Sequence, residues 1–267
     1  MQSCDYPAIS EYLSKQVWPS ARLSGVEVTH VWSQDIREAQ KIAQATLIET
    51  IVKNPTDMIG SIDGLLLARD DANNHKYFAE PFLKAGLPVY VDKPVALTEA
   101  RLDALLALQR YPGQIFSCSA LRYASELKLT MDDQLKIGKV LLVRAVAPKY
   151  WETYAIHLID PVLNLLGYQG CVKPLFSGNV GRLGRFLAVR WGNDGPDVHF
   201  AVTGHNNTEI KFEIFGSDNQ TTLVFKDSFN AFKSAISQFL NIAAGKEQVV
   251  PEKYNRSAVK IIEMALK

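Results

Sequence analysis

The stretch that decides the fold is Val89-Tyr-Val-Asp-Lys-Pro-Val-Ala-Leu-Thr98. It opens with alternating and β-branched apolar residues, a pattern that predicts a short strand. Thr98 is a good N-cap residue, and the leucines that follow it predict a helix over 99–110. Lys93 therefore lies at the carboxyl end of a strand, where Pro94 favours an extended lysine backbone. Because ligands bind at that edge of open α/β sheets, Lys93 is the leading candidate for a functional side chain.

The composition is that of an ordinary globular protein, with 47% hydrophobic and 21% charged residues. A net charge of +1 provides no basic surface for nucleic acid, and no apolar run is long enough to span a membrane. The N-terminus shows no signal-peptide pattern, so we expect a cytoplasmic protein. Cys4, Cys118 and Cys171 are few and widely spaced, which favours neither a disulfide framework nor a metal site.

Strands and helices alternate strictly in the first part of the chain, up to about Gly113. The predicted strands are 26–32, 48–52, 64–68, 89–91 and 115–120, and the predicted helices are 7–17, 36–45, 55–59, 72–85 and 99–110. This alternation predicts βαβ units and a parallel sheet.

The pattern changes after a predicted helix at 125–135. The predicted strands are then 140–146, 185–191, 198–203, 209–215 and 221–225, and the predicted helices are 154–166, 229–244 and 252–266. Turns such as Asn193-Asp194-Gly195 separate most of these strands without an intervening helix. We therefore expect an open antiparallel sheet flanked by helices.

Five features stand in a fixed order along the chain. They are Ala68 to His75 leading to Ala85-Gly86, Asp92-Lys93-Pro94, Arg122-Tyr123, His157-Leu-Ile-Asp160, and Ile214 to Ser217 followed by Thr222-Leu223. Together they resemble the Gfo/Idh/MocA family (glucose-fructose oxidoreductase, inositol dehydrogenase and MocA). The resemblance covers nearly the whole chain. It implies a Rossmann-like dinucleotide-binding domain over 1–120 and a substrate-binding and oligomerisation domain over 121–267.

The resemblance implies an NAD(P)-dependent oxidoreductase that acts on a sugar, a polyol or a related hydroxyl compound. His157 would be the acid/base, since imidazole titrates near neutral pH. Lys93 would stabilise the substrate oxygen, its pKa lowered by desolvation. Asp160 follows His157 at i+3 on the same helix face, where it would orient His157 or bind a substrate hydroxyl.

The resemblance also implies further substrate contacts, from Asp160, Thr153, Arg122, Tyr150 and Trp151. Tyr150 and Trp151 either line a sugar pocket or belong to the core. Thr153 stands four residues before His157, where the family commonly has an aspartate. A threonine hydroxyl can bind a substrate hydroxyl but cannot share a proton with His157.

The cofactor contacts implied are Ser33, Arg37, Asn74, His75, Asp92 and Lys93. Ser33 stands where an acid usually binds the ribose hydroxyls, and Arg37 could reach a 2′-phosphate, so NAD and NADP are both plausible. Asp35 is better placed as a helix N-cap. His75 either lies near the cofactor or caps and packs its helix.

The largest departure from the family concerns the glycine-rich motif. The chain runs from Met1 into its first helix, and no strand with Gly-x-Gly-x-x-Gly precedes that helix. A start codon placed too late, an edited chain or a genuine loss would each explain this. The alternative function is a non-catalytic relative that binds a sugar-like ligand or a partner subunit.

Two further expectations concern assembly and specificity. Family members commonly pair their open sheets between subunits, so the resemblance implies a homodimer or a dimer of dimers. We expect the loops at 148–153 and 173–183 to select the substrate.

Overall fold

The structure is a computed structural model that describes residues 7–167 and 172–267. Cys4 and Cys171 lie outside the described residues, while Cys118 is buried and free. None of the helices in the described ranges is long and apolar enough to cross a lipid bilayer.

The first part of the chain alternates short strands with helices, as the sequence predicts. The strands are β1 His30–Val31, β2 Thr50–Ile51, β3 Leu65–Leu67, β4 Val89–Val91 and β5 Ile115–Phe116. The α-helices are α1 Pro7–Ser14, α2 Ile36–Thr46, α3 His75–Lys84 and α4 Glu99–Leu106. Thr98 caps α4, since its hydroxyl accepts a hydrogen bond from the Arg101 N–H at 3.3 Å.

All strand pairs in this part are parallel, which confirms the predicted Rossmann-like sheet. They form two groups, β1-β2 and β3-β4-β5. Leu67 pairs with Val91, and Tyr90 pairs with Phe116. The residues that follow each strand therefore lie along one edge, where a parallel sheet collects its functional side chains.

The second part contains a six-stranded sheet in the order β11-β10-β6-β9-β8-β7. Its strands are β6 Val140–Ala147, β7 Val172–Val180, β8 Gly184–Trp191, β9 Asp197–Val202, β10 Lys211–Gly216 and β11 Gln220–Val224. The helices are α5 Met131–Ile137, α6 Trp151–Tyr154, α7 Ile156–Leu166, α8 Ser228–Ala243 and α9 Glu252–Met264.

The expected open sheet is present, with two differences in detail. Most of 173–183 is not a loop but edge strand β7, which pairs with β8. Its sequence hides the strand, because Pro174 and Gly178 interrupt it and nearly all its side chains are exposed. In addition, β6 and β9 run parallel, since the β7-β8-β9 meander returns to β6 after two reversals.

Helix α7 packs on the inner face of this sheet. The buried residues of that layer are Leu158, Ile159 and Val162 from α7, and Val143, Ala145, Leu187, Val189, Val198, Phe200, Phe212 and Ile214 from the strands. Removing this apolar surface from water stabilises the second part by about 25 cal/mol per Å².

Helix α9 joins the two parts of the chain. Val259 packs in the core of the first part, whereas Ile261 and Ile262 pack in the core of the second. The Glu99 N–H at the start of α4 donates to the Glu263 carboxylate at 2.9 Å. This contact joins the start of α4 to α9. The proposed division at residue 120 stays a prediction; it falls between β5 and the 3-10 turn Ala120–Tyr123.

Candidate active site

Lys93 lies just beyond β4, at the carboxyl edge of the parallel sheet. Its side chain is 17% exposed, and its Nζ is 3.4 Å from both the Asp92 and the Asp70 carboxylate. Burial raises the pKa of the Asp92 carboxyl. The ammonium is thus held between two carboxylates and directed along the edge instead of moving freely in solvent.

His75 supports the segment that carries Lys93. Its ring is buried, with Nδ1 3.1 Å from the Val95 carbonyl and Nε2 2.8 Å from the Arg69 carbonyl. The ring therefore joins the turn after β3 to the turn after β4. Both ring nitrogens are used inside the protein, so His75 packs here as a structural link.

His157 lies in the first turn of α7, on the side that faces the parallel sheet. The imidazole is buried, and its Nδ1 lies 2.8 Å from the Ser119 hydroxyl just after β5. Burial, together with the positive charges of Lys93 and Lys149, lowers the pKa of His157 to about 3. The ring is therefore neutral at physiological pH.

Asp160 lies one turn after His157, and protein donors occupy both of its oxygens. Oδ2 accepts the Ser119 N–H at 2.7 Å, and Oδ1 accepts Nε of Arg122 at 2.9 Å as well as its Nη2. Both side chains are buried. Burial raises the pKa of the Asp160 carboxyl against the opposing effect of the Arg122 guanidinium. This ion pair fixes the turn after β5 to α7.

The three other residues assigned to the substrate lie around the start of α6. Trp151 is buried, and its indole N–H donates to the Ile262 carbonyl at 2.9 Å, which places it in the core. Tyr150 is 37% exposed, and its ring lies 4.7 Å from that of His205. The Thr153 hydroxyl makes a long contact of 3.5 Å with the Tyr150 carbonyl.

The residues assigned to the ribose end of the cofactor lie beyond β1 and β3. Ser33 is half-buried after β1. Arg37 is mostly exposed and donates to the carboxylate of Asp35, which caps α2 as expected. Asn74 donates to Asp71 at 2.8 Å. Arg37 thus lies at the surface, four positions after Ser33, with its guanidinium paired to Asp35.

Sequence reasoning missed Arg69, which spans the space between β1 and β3. Its guanidinium donates to Asp71 at 2.7 and 2.6 Å and to Gln34 Oε1 at 3.2 Å. It also lies 4.0 Å above the Phe78 ring. These hydrogen bonds lower the pKa of Asp71 to about 2. The position of Arg69 directly after a strand was the signal that could have found it.

Ser119 and Lys149 were also missed, and both act on His157. Ser119 follows β5 at the same sheet edge as Lys93, so its position carried a signal. Lys149 lies in the segment 148–153 that was expected to select the substrate, but nothing in the sequence marks this residue within it, because its φ of +67° is visible only in the structure.

A separate cavity lies away from these residues. A cleft of about 390 Å³ is lined by Leu129, Gln134, Ile137 and Leu166, at the far end of α7 from His157. It contains none of the groups discussed above. Within the described residues, no cluster of His, Cys, Asp and Glu side chains could hold a metal ion.

The arrangement is a two-part α/β fold in which a Rossmann-like sheet meets an open sheet at a buried histidine. Residues 11–119 match the model of the GFO_IDH_MocA family, described as an oxidoreductase family with an NAD-binding Rossmann fold. Residues 11–119 are therefore similar to the Rossmann part of this family.

Three solved structures illustrate the likeness. The myo-inositol 2-dehydrogenase from Lactobacillus plantarum is 17% identical, with a TM-score of 0.72 over 92% of this chain and 90% of that one. GenD2 from gentamicin A biosynthesis, solved with NAD, is 14% identical, with a TM-score of 0.75 over 90% and 86%. Biliverdin reductase from Synechocystis sp. PCC 6803, solved with biliverdin and NADP+, is 15% identical, with a TM-score of 0.67 over 90% and 90%. No curated protein matches the chain by sequence.

Proposed function

We propose that the chain is an NAD(P)-dependent oxidoreductase that moves a hydride between nicotinamide and a CH–OH carbon of a sugar, a polyol or a related compound. One observation carries the proposal. Lys93 follows β4, and Ser119, whose hydroxyl lies 2.8 Å from His157 Nδ1, follows the neighbouring strand β5. The ammonium and the imidazole are thus brought to the same sheet edge although they are 64 positions apart in the chain numbering.

The described residues fit the two ends of a dinucleotide. Ser33, Gln34 and Arg37 would hold the ribose end beyond β1, and Lys93 would lie at the nicotinamide end. When bound, the nicotinamide would supply the two-electron hydride acceptor or donor. A glycine-rich turn for the pyrophosphate is not found in residues 7–167.

His157 would take the hydroxyl proton of the substrate as its C–H bond breaks. In the tautomer whose Nδ1–H donates to the Ser119 hydroxyl, the lone pair of Nε2 would accept this proton. The Lys93 ammonium would stabilise the negative charge that develops on the substrate oxygen. In the reverse direction the same proton returns from His157 to the oxygen of a carbonyl substrate.

A panel of polyols and sugars, including myo-inositol and glucose, tests the proposal with NAD+ and NADP+ in turn. We expect reduced nicotinamide to form with the wild type. Lys93→Met and His157→Ala should each lower kcat by at least about 100-fold. The matched control is an exposed lysine outside the candidate site, Lys246→Met, which should keep the wild-type rate. Equal rates for Lys93→Met and the wild type would refute the assigned chemistry.

The second candidate, a non-catalytic relative that binds a sugar-like ligand or a partner subunit, rests on one specific observation. The pKa of His157, lowered to about 3, makes it a weak base, and its hydrogen-bond partner is the Ser119 hydroxyl instead of a carboxylate. Under this hypothesis the chain binds a polyol without forming reduced nicotinamide. The same panel, followed by calorimetry, separates the two functions.

We also propose a homodimer or a dimer of dimers built on the outer face of the six-stranded sheet. Phe176 is 64% exposed on this face, next to the Phe186 ring at 6.2 Å. Arg144 and Glu213 add both signs of charge to the same face. A second copy would therefore meet complementary groups. Light scattering should give at least a dimer at micromolar concentration, and a monomer would contradict this.

A further inference from the structure

Lys149 adopts an unusual backbone conformation beside the proposed active site. Its φ is +67°, and Leu47 is the one other non-glycine residue with positive φ among the described residues. Side chains with a Cβ are disfavoured in that region, so surrounding contacts must hold it there.

The contacts that hold Lys149 come from the segment after β9. The Lys149 N–H donates to the Gly204 carbonyl at 2.6 Å, and the Gly204 N–H donates back to the Lys149 carbonyl at 3.0 Å. Next to this pair, the Thr203 N–H donates to the Ala147 carbonyl at 3.0 Å. The backbone on both sides of Lys149 is therefore fixed, and with it the direction of the Cα–Cβ bond.

The Lys149 side chain is directed toward His157 through one aromatic ring. Its Nζ lies 4.5 Å from the centroid of the Tyr154 ring. That ring in turn lies 4.9 Å from the His157 imidazole, edge to face. Lys149 is exposed, and it forms no ion pair with a carboxylate in the part of the chain that the structure describes. An accessible cation thus lies at the mouth of the site without an acidic partner.

We propose that Lys149 binds an anionic group of the substrate, a carboxylate or a phosphate, so that the site prefers hydroxy acids or sugar phosphates to neutral polyols. This proposal rests on the proposed function, which supplies the reacting hydroxyl group of the substrate. The new element is that the substrate also carries a negative charge. Tyr154 would serve as the surface against which the ammonium is held.

A substrate anion bound to Lys149 would also affect the basicity of His157. Lys93 is already balanced by Asp70 and Asp92, whereas Lys149 is not. A substrate anion on Lys149 would cancel a charge that now disfavours protonation of His157. The bound substrate would thereby make His157 a stronger base.

Calorimetric titration tests the preference with two matched pairs, gluconate against sorbitol and glucose 6-phosphate against glucose. The pairs separate a carboxylate from a phosphate as the anionic group. In the wild type, at least one anionic member should bind about tenfold or more tightly than its neutral partner. Lys149→Gly keeps the positive φ and removes the charge, so it should abolish this ratio. Lys149→Arg should retain it, and the exposed control Lys246→Gln should leave it unchanged.

Two results would overturn the inference: no anionic preference in the wild type, or a preference that survives in Lys149→Gly. Binding in these titrations does not require turnover. A parallel titration with NADH and NADPH reports on the proposed function separately. An anionic preference without cofactor binding would therefore support Lys149 as the anion site and reject the dehydrogenase.

Discussion

The His157 imidazole and the Ser119 hydroxyl lie 2.8 Å apart and join α7 to the carboxyl edge of the parallel sheet. Ser119 also accepts the Leu121 N–H at 3.2 Å, which fixes its own rotamer. The hydroxyl therefore determines the orientation of the histidine and which of its ring nitrogens faces the site. Ser119 is a positioning residue.

Ser119→Ala should lower kcat about 10–100-fold while cofactor affinity stays within about twofold of the wild type. Removal of the Ser119 hydroxyl takes away the hydrogen-bond partner of His157 Nδ1, so the imidazole ring loses its fixed orientation. The pH profile of kcat should change shape as well, which a purely structural effect would not produce. Ser117→Ala, two residues earlier and also buried, is the matched control. If Ser119→Ala and Ser117→Ala lower kcat equally, Ser119 is not a positioning residue for His157.

The free energy of unfolding should depend on pH because the His157 imidazole is buried and neutral in the folded protein. The unfolded chain takes up a proton near the ordinary pKa of 6.5, whereas the folded protein resists it until about pH 3. More protons are thus bound in the unfolded state between these values. The contribution of His157 to the free energy of unfolding should be complete above pH 6.5. It should decrease as the pH falls from 6.5 to about 3, by at most about 1.4 kcal/mol per pH unit.

Urea titrations at several pH values measure this slope. His157→Gln should show a shallower loss between the two pKa values, whereas the exposed control His205→Gln should match the wild type. If His157→Gln and the wild type lose stability in parallel, the imidazole is not buried as described.

The Arg122–Asp160 pair should behave as a buried ion pair. Asp160→Asn leaves the guanidinium without its charge partner and should destabilise the fold by about 3–5 kcal/mol. Arg122→Met combined with Asp160→Leu removes both charges and should recover most of that loss. Denaturant unfolding of the two single variants and the double variant gives the coupling energy. Additive losses would mean that the pair is not coupled.

Local patterns were enough to predict much of the fold. The Val89–Val91 strand, the Thr98 cap and the Asp35 cap all follow from alternation and capping chemistry. Strand β7 could not be predicted, because an exposed edge strand has no apolar alternation to detect.

The candidate site was harder to predict, because its contacts join residues far apart in sequence. Lys93 and His157 were identified from their motifs. The engagement of Asp160 by Arg122, 38 residues away, depends on tertiary packing. The same is true of Trp151, whose indole is satisfied by a carbonyl 111 residues away. No local pattern separates a buried tryptophan from one that faces a ligand.

The most direct test of the central claim is a fluorescence titration of the protein with NADH and with NADPH. We expect at least one of the two to bind with a Kd below the millimolar range. Arg37→Ala should weaken NADPH more than NADH, because only NADPH has a 2′-phosphate for the guanidinium to bind. Absence of binding by both cofactors at millimolar concentration would contradict the assignment of hydride transfer to this site.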